Sequence, residues 1–135
     1  MEARFNQIVE FHGHRCPGIA YGLRIALAGM NKISATKESE LKIESPTNSC
    51  PLDAIQVITG CTIGNGKLRI QPNDEFGFTF TNISSGKSVT ITNHKIDYWS
   101  YIERIRNANE ISLEDKIRII LKVDESDVIR LISTI

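Results

Sequence analysis

No sign of charge predominates in this chain, since sixteen Lys and Arg stand against sixteen Asp and Glu in 135 residues. A nucleic-acid footprint or an acidic tail would unbalance that count, so no polyanionic partner is expected. Long hydrophobic runs are also missing. No stretch approaches the roughly 20 apolar residues of a membrane span, and the start Met1-Glu2-Ala3-Arg4 leads into no apolar run. Cysteine is scarce and odd in number, three in all, which does not suit a disulfide framework. These absences lead to the expectation of a reduced, cytoplasmic protein with neither membrane nor nucleic acid as partner. The sequon Asn82-Ile83-Ser84 then carries no glycan, because glycosylation needs the secretory route. Repeats, low-complexity tracts and linkers are absent as well. The length is that of one ordinary domain, large enough to bury a real core.

The periodicity that is present separates helical ends from a sheet-rich middle. Phe5, Ile8 and Val9 stand at helical spacing within Arg4 to Phe11, and Ile19, Leu23, Ala26, Leu27 and Met30 predict an amphipathic helix over 17–31. Leu41-Lys42-Ile43-Glu44 alternates like a strand, and Ser45 to Ser49 with Pro46 reads as a loop. A short helix follows from Pro51 to Thr59, ended by Gly60. In the middle, Leu68 with Ile70, Phe76 with Phe78 and Phe80, and Val89 with Ile91 each line one strand face, with turns at Pro72-Asn73-Asp74 and Ser84-Ser85-Gly86. The three phenylalanines are read as core. Beyond Asn93 the chain turns helical again. Ser112 with Asp115 and Asp124 with Asp127 resemble capping pairs, with Asp in place of the usual Glu or Gln, and Ile117, Ile120 and Leu121 follow the first.

Chemistry-bearing residues concentrate in two segments. Cys16-Pro17 and Cys50-Pro51 each open a helix, because proline suits the first helical position, where its missing N–H would have had no partner. The preceding cysteine then sits where backbone N–H groups converge, and a thiol there loses its proton more easily. His12, His14 and Cys16 occupy alternate positions of a tight turn and place three donors within about 15 Å of chain even when extended, a set that suits zinc or another transition-metal ion. Their spacing is not that of a standard zinc finger, and a histidine in a turn is also commonly a solvated or capping residue. In the second segment Asp53 falls at the third helical position, where a carboxylate can cap the helix start. Gln56 shares its face, and both can reach a ligand or support a metal-bound residue. A helix of this length is roughly 13 Å long, so Cys50 and Cys61 bracket it and only one is expected to join Cys16, with Cys50 favoured. Gly60-Cys61-Thr62-Ile63-Gly64-Asn65-Gly66 leaves a helix and enters a strand, the reverse of a phosphate-binding loop.

The combination Phe-His-Gly-His-x-Cys-Pro-Gly at 11–18 with Cys-x-x-Asp-Ala-Ile-Gln-x-x-Thr-Gly-Cys-Thr-x-Gly at 50–64 resembles the FmdE family of formylmethanofuran dehydrogenase subunits. The likeness runs over roughly residues 5 to 95. It implies an α+β fold in which helices pack on a mixed, largely antiparallel sheet, with a core like the sheet domain of glyceraldehyde-3-phosphate dehydrogenase, in chains usually paired as homodimers. The expected organisation is a core over 1–95 and a helical C-terminal extension over 96–135 packed on the same domain. The zinc ribbon that many archaeal members carry is not expected, since the last cysteine is Cys61. The family takes its name from an enzyme linked to methanogenesis that reduces carbon dioxide onto methanofuran through a molybdenum or tungsten pterin, a centre that the FmdE polypeptide does not itself carry. Carried over by position, the motif residues are His12, His14, Cys16, Cys50 and Cys61 as metal ligands, with Asp53 and Gln56 as further cofactor contacts. The motif includes Cys61, so both Cys50 and Cys61 stay in the candidate set.

Two functions from different classes are therefore expected. One is a metal-binding accessory protein of a molybdenum- or tungsten-dependent oxidoreductase. The other is a stand-alone metal- or thiol-dependent enzyme acting on a small molecule through Cys16 and His14. A third reading is a dimeric scaffold whose polar turn only caps helices.

Overall fold

Helix α2 (Pro17–Lys32) is apolar on nearly every side and therefore takes the central position, with Ile19, Ala20, Leu23, Ile25, Ala26 and Ala28 all fully buried. The computed structural model describes residues 1–37, 39–93 and 112–135. Before α2 runs α1 (Glu2–His12), which buries Phe5 and Ile8 and stops at Gly13. That residue has φ 102°, a left-handed conformation that glycine adopts without steric cost, and its N–H reaches Val9 O at 2.8 Å. The chain reverses there and enters α2 through Cys16, whose backbone is extended, and Pro17.

Strand β1 (Leu41–Ser45), helix α3 (Pro51–Thr59), β2 (Leu68–Ile70), β3 (Phe78–Asn82) and β4 (Ser88–Asn93) follow. The last described segment holds α4 (Leu113–Lys122), the single turn α5 (Glu125–Val128) and β5 (Ile129–Thr134). Among the described residues the strands form one sheet in the order β2-β1-β3-β4-β5. Only β1 and β2 run parallel; the other pairings are antiparallel, which is the mixed, largely antiparallel α+β arrangement expected from sequence. Ile43 lies opposite Phe80, Phe80 opposite Val89, and Phe78 opposite Ile91, so one sheet face is continuous hydrocarbon. Helix α2 covers it.

Small residues set how closely α2 approaches its neighbours. A Cβ on Gly29 would lie 2.5 Å from the Phe80 ring, and one on Gly22 would lie 2.7 Å from both Ala54 Cβ and the Pro51 carbonyl. Helix α4 is fastened to α2 from its C-terminal end. The buried Arg24, 7% exposed, donates through Nη1 to the carbonyls of Ile120, Leu121 and Val123 at 3.1, 3.3 and 2.8 Å. These are helix-end carbonyls without intrahelical partners, and a cation there also complements the helix dipole. At the other end Ser112 Oγ accepts the Asp115 N–H at 3.1 Å, the expected cap.

Three sequence expectations need correction. Phe76 does not continue the alternation of Phe78 and Phe80, because it lies in the preceding loop with φ 54° and is 40% exposed. The reason is Asn73, whose side chain accepts the Gly77 N–H at 2.7 Å and donates to the Gly77 carbonyl at 2.9 Å, turning the chain just before β3. Asp124 makes no side-chain cap, and α5 is closed by a backbone bond from Asp127 N–H to Asp124 O at 2.9 Å. The tail, expected as helical, ends in β5. Its branched residues pair with β4 over 129–134 and occupy the backbone groups along that edge, with a register shift beside Thr90 and Ile91. Residues 94–111, also expected as helical, lie outside the described set.

Adding one methyl at Gly29 tests the closeness of the α2–sheet contact. Gly29→Ala forces the Phe80 ring to move within a filled core, and urea unfolding is expected to show a loss of about 1–3 kcal/mol with an unchanged m-value.

Candidate metal centre

The left-handed turn at Gly13 and the two proline-led helix starts bring separated donors to one place. His12 is the last residue of α1, His14 stands in the turn, and Cys16 and Cys50 precede the first residues of α2 and α3. One ligand atom from each of these four residues lies within 4.8 Å of all the others. Donors in a tetrahedral zinc shell stand about 3.3–3.8 Å apart on bonds of about 2.0–2.3 Å, so shifts on the order of an ångström fit this set to an ion. Two nitrogen and two sulfur donors also match the number and kind that zinc takes in structural sites.

The close approach of α3 to α2 depends on Gly18. A Cβ there would meet Cys50 Cβ at 2.8 Å, with the sulfurs of Cys50 and Cys16 at 3.6 and 3.7 Å. The two cap positions differ, however. Cys16 is extended, with φ −152° and ψ 157°, whereas Cys50 already has helical angles of −45° and −43°. Neither thiol caps its helix. Burial pushes the Cys50 thiol above its ordinary range, and a hydrogen bond with Cys16 adds to that. At Cys50 desolvation therefore outweighs the acidifying effect expected of a helix start.

Of the two places expected for Asp53, helix cap or support of a metal-bound residue, its hydrogen bond fits the second. Its Oδ2 lies 2.6 Å from His12 Nδ1, in a pair where the imidazole side chain is only 11% exposed. Since a carboxylate only accepts, this bond places a proton on Nδ1, so that in the neutral imidazole the Nε2 lone pair faces Cys16 Sγ, 3.8 Å away. Gln56 Nε2 donates to the other carboxylate oxygen at 3.3 Å and steadies Asp53 in turn. Carboxylate-bound histidines of this kind are typical metal ligands. The His14 ring stands 4.5 Å from that of His12, centroid to centroid, and is exposed. Arg15 ties the turn to the rest of the protein. Its Nε and Nη2 donate to Glu114 Oε1 and Oε2 at 2.9 and 3.1 Å, and its cation lies 5.0 Å from the centre of the Phe5 ring.

Cys61 is elsewhere. It follows the C-terminus of α3, 1% exposed within the core, and burial pushes its thiol up. The glycine loop after it is held by its own hydrogen bonds, Asn65 Oδ1 accepting from the N–H groups of Thr62 and Lys67 at 3.0 Å each. Sequence reasoning did not single out the residues on the far side of Cys50. Gly18, Tyr21, Ser49, Cys50, Pro51, Phe76 and Asn93 line a cavity of about 260 Å³ there. Its sequence signals were the two cysteine-led helix starts, Cys16-Pro17-Gly18 and Cys50-Pro51, because the other walls come from segments that converge only in the fold.

Comparisons with known proteins agree with this architecture. A crystal structure of an FmdE-like protein of tungsten formylmethanofuran dehydrogenase type from Syntrophus aciditrophicus superposes with a TM-score of 0.74 at 22% identity, over 99% of this chain and 71% of that one, and shows the shared fold. A probable S-adenosyl-L-methionine-binding protein of Archaeoglobus fulgidus is 37% identical over 65 residues, which are 44% of this chain and 18% of that protein. The chain thus spans less than a fifth of that relative's length. The family model described as "FmdE, Molybdenum formylmethanofuran dehydrogenase operon" matches residues 11–130, a span that takes in the histidine turn, both cysteine-led helix starts and the beginning of β5. The chain belongs to the FmdE family.

Proposed function

We propose that this protein is a metal-binding accessory protein that holds zinc or another transition-metal ion through His12, His14, Cys16 and Cys50 and serves a molybdenum- or tungsten-dependent oxidoreductase. The observation that carries the metal is the convergence of four donors within 4.8 Å, one of them braced by Asp53. When bound, the ion supplies a positive charge that keeps both thiolates deprotonated and joins the ends of α1, α2 and α3. The chain's own residues do the rest. Asp53 fixes the His12 tautomer, Gln56 fixes Asp53, and Gly18 admits both sulfurs to one site. The partner class is supported by the operon in the family's description and by the tungsten dehydrogenase named for the related crystal structure. A cytoplasmic homodimer is part of the same reading.

A second reading has one observation of its own. Asp53, His12 and Cys16 form a line in which a carboxylate orients an imidazole and the imidazole faces a thiol, the order of groups that activates a nucleophilic cysteine. In that reading His12 stands in the place that the sequence suggested for His14.

Metal analysis of protein purified without a histidine tag should give one ion per chain. His12→Ala, Cys16→Ser and Cys50→Ser should each abolish it and Cys61→Ser should retain it; metal kept by all three of the former would overturn the ligand set. Loss of the orienting carboxylate in Asp53→Asn is expected to weaken metal binding by about 10–100-fold, measured by competition with a chromophoric chelator. Co-purification with a pterin-dependent dehydrogenase tests the partner. The nucleophile reading predicts that, in metal-free protein near neutral pH, iodoacetamide labels Cys16 faster than a free thiol and that Asp53→Asn slows it. Cys61 serves as the internal control and should stay unlabelled until the protein unfolds. Its raised folded-state pKa means that its contribution to stability is present below the free-thiol range and lost as pH rises through the folded value.

A further inference from the structure

We propose that the cavity beside Cys50 is a binding site for a small, uncharged, planar molecule of about one ring, held next to the cysteine of the donor cluster. The proposal rests on the metal-centre reading and deepens it, since Cys50 is both a donor of the cluster and a wall of the cavity. Three observations carry it.

The first is the chemistry of the walls. Gly18, Tyr21, Pro51 and Phe76 give flat or small apolar surfaces, and Ser49 and Asn93 give polar ends; among the described residues no Lys, Arg, His, Asp or Glu lines the space. An anion would therefore give up hydration without gaining a counter-charge from these walls, and a divalent ion held by two thiolates and two imidazoles has no net charge to supply one, which disfavours phosphorylated or carboxylate ligands on energetic grounds. A neutral ring with one hydrogen-bonding group loses little and gains contact with the apolar walls. The second is size. A volume of about 260 Å³ has room for roughly eight waters at their liquid volume, which is the scale of a single ring with a substituent.

The third is Phe76. It is a bulky side chain in the left-handed region, φ 54°, a conformation that costs on the order of a kcal/mol or more for a residue other than glycine. The surrounding structure enforces it. Asn73 holds Gly77 through both its N–H and its carbonyl, and a Cβ on Gly77 would lie 2.8 Å from Thr90 Cγ2, so the loop has no slack to relax. The strain does not take the ring into the core, because it remains 40% exposed, touching Phe78 edge to face with centroids 5.4 Å apart. What the strained conformation does achieve is an aromatic wall for the cavity that Cys50 also lines.

The test uses zinc-loaded full-length protein, with benzamide as the neutral probe and benzoate as its charged isostere, titrated by saturation-transfer NMR. Benzamide is expected to bind saturably and benzoate at least tenfold more weakly. Phe76→Gly removes the ring and at the same time accepts the positive φ, so it should weaken benzamide at least tenfold while leaving zinc content unchanged and thermal stability equal or higher. Asn93→Ala should weaken benzamide with little effect on zinc. Equal affinities for the two probes, undiminished binding in Phe76→Gly, or no benzamide binding to the wild type would overturn the cavity proposal. A wild-type protein that binds benzamide and takes up no zinc would overturn the metal reading alone.

Discussion

The approach of α3 to α2 is the constraint on which the rest of the site depends. Gly18 and Gly22, one turn apart on α2, leave no room for a methyl group against Cys50, Pro51 and Ala54. Backbones that meet this closely bring the first turn of α3 over the first turn of α2, so the two cysteines before Pro17 and Pro51 arrive side by side. The same helix reaches the sheet through Gly29, where the Phe80 ring lies flush against it. Side chains of ordinary size at these positions would spread the layers and separate the donors by more than any side-chain rotation restores. The donor geometry is therefore a consequence of helix packing, and the loops contribute chiefly the reversal at Gly13.

Within that frame the polar groups form a chain in which each member fixes the next. Gln56 holds one oxygen of Asp53, Asp53 holds Nδ1 of His12, and His12 turns Nε2 toward Cys16. Asp53 and Gln56 lie three residues apart on α3 and so move as one unit. His12 ends a different helix, which makes its bond to Asp53 a clasp between α1 and α3. Arg15 makes a second clasp from the same turn to Glu114 of α4 and holds that carboxylate below its usual range, chiefly through the hydrogen bond between them. Being exposed, this pair contributes little stability by itself. Its effect is to orient the turn that carries His14.

Much of the fold was legible in the sequence because it rests on local pattern. The spacing of Ile19, Leu23, Ala26 and Met30 sets α2, Ser112 caps α4 through Asp115, and the alternation of Leu41 with Ile43 marks β1. The exceptions are decided by tertiary contacts. Phe76 has the alternation of a strand residue, yet Asn73 and the tight fit at Gly77 turn the chain first. Ile129 to Thr134 carries too few residues to distinguish helix from strand by period, and the open edge of β4 chooses strand. At the site, His12, His14, Cys16 and Cys50 were all visible as donor residues, as was the geometric separation of Cys50 from Cys61 by the length of α3. For Asp53 the sequence left a helix cap and the support of a metal-bound residue both open, and only the meeting of α1 with α3 reveals the histidine as its partner.

The two cysteine-led helix starts look equivalent in sequence and differ in structure in a way that assigns them different tasks. Cys16 keeps an extended backbone and faces the nitrogen of a histidine whose proton is fixed on the other side. Cys50 is drawn into the first turn of α3, and burial with Cys16 as neighbour raises its pKa. A thiol of that kind is held protonated near neutral pH unless a cation offsets its charge, because desolvation penalises the thiolate. An ion held jointly with His12, His14 and Cys16 would provide that offset within the same cluster. Cys50 alone of the four also opens onto a cavity whose described walls carry no charge. Cys50 thus belongs both to the donor cluster and to the wall of the cavity, so an ion held by the one and a molecule held by the other would meet at the same residue.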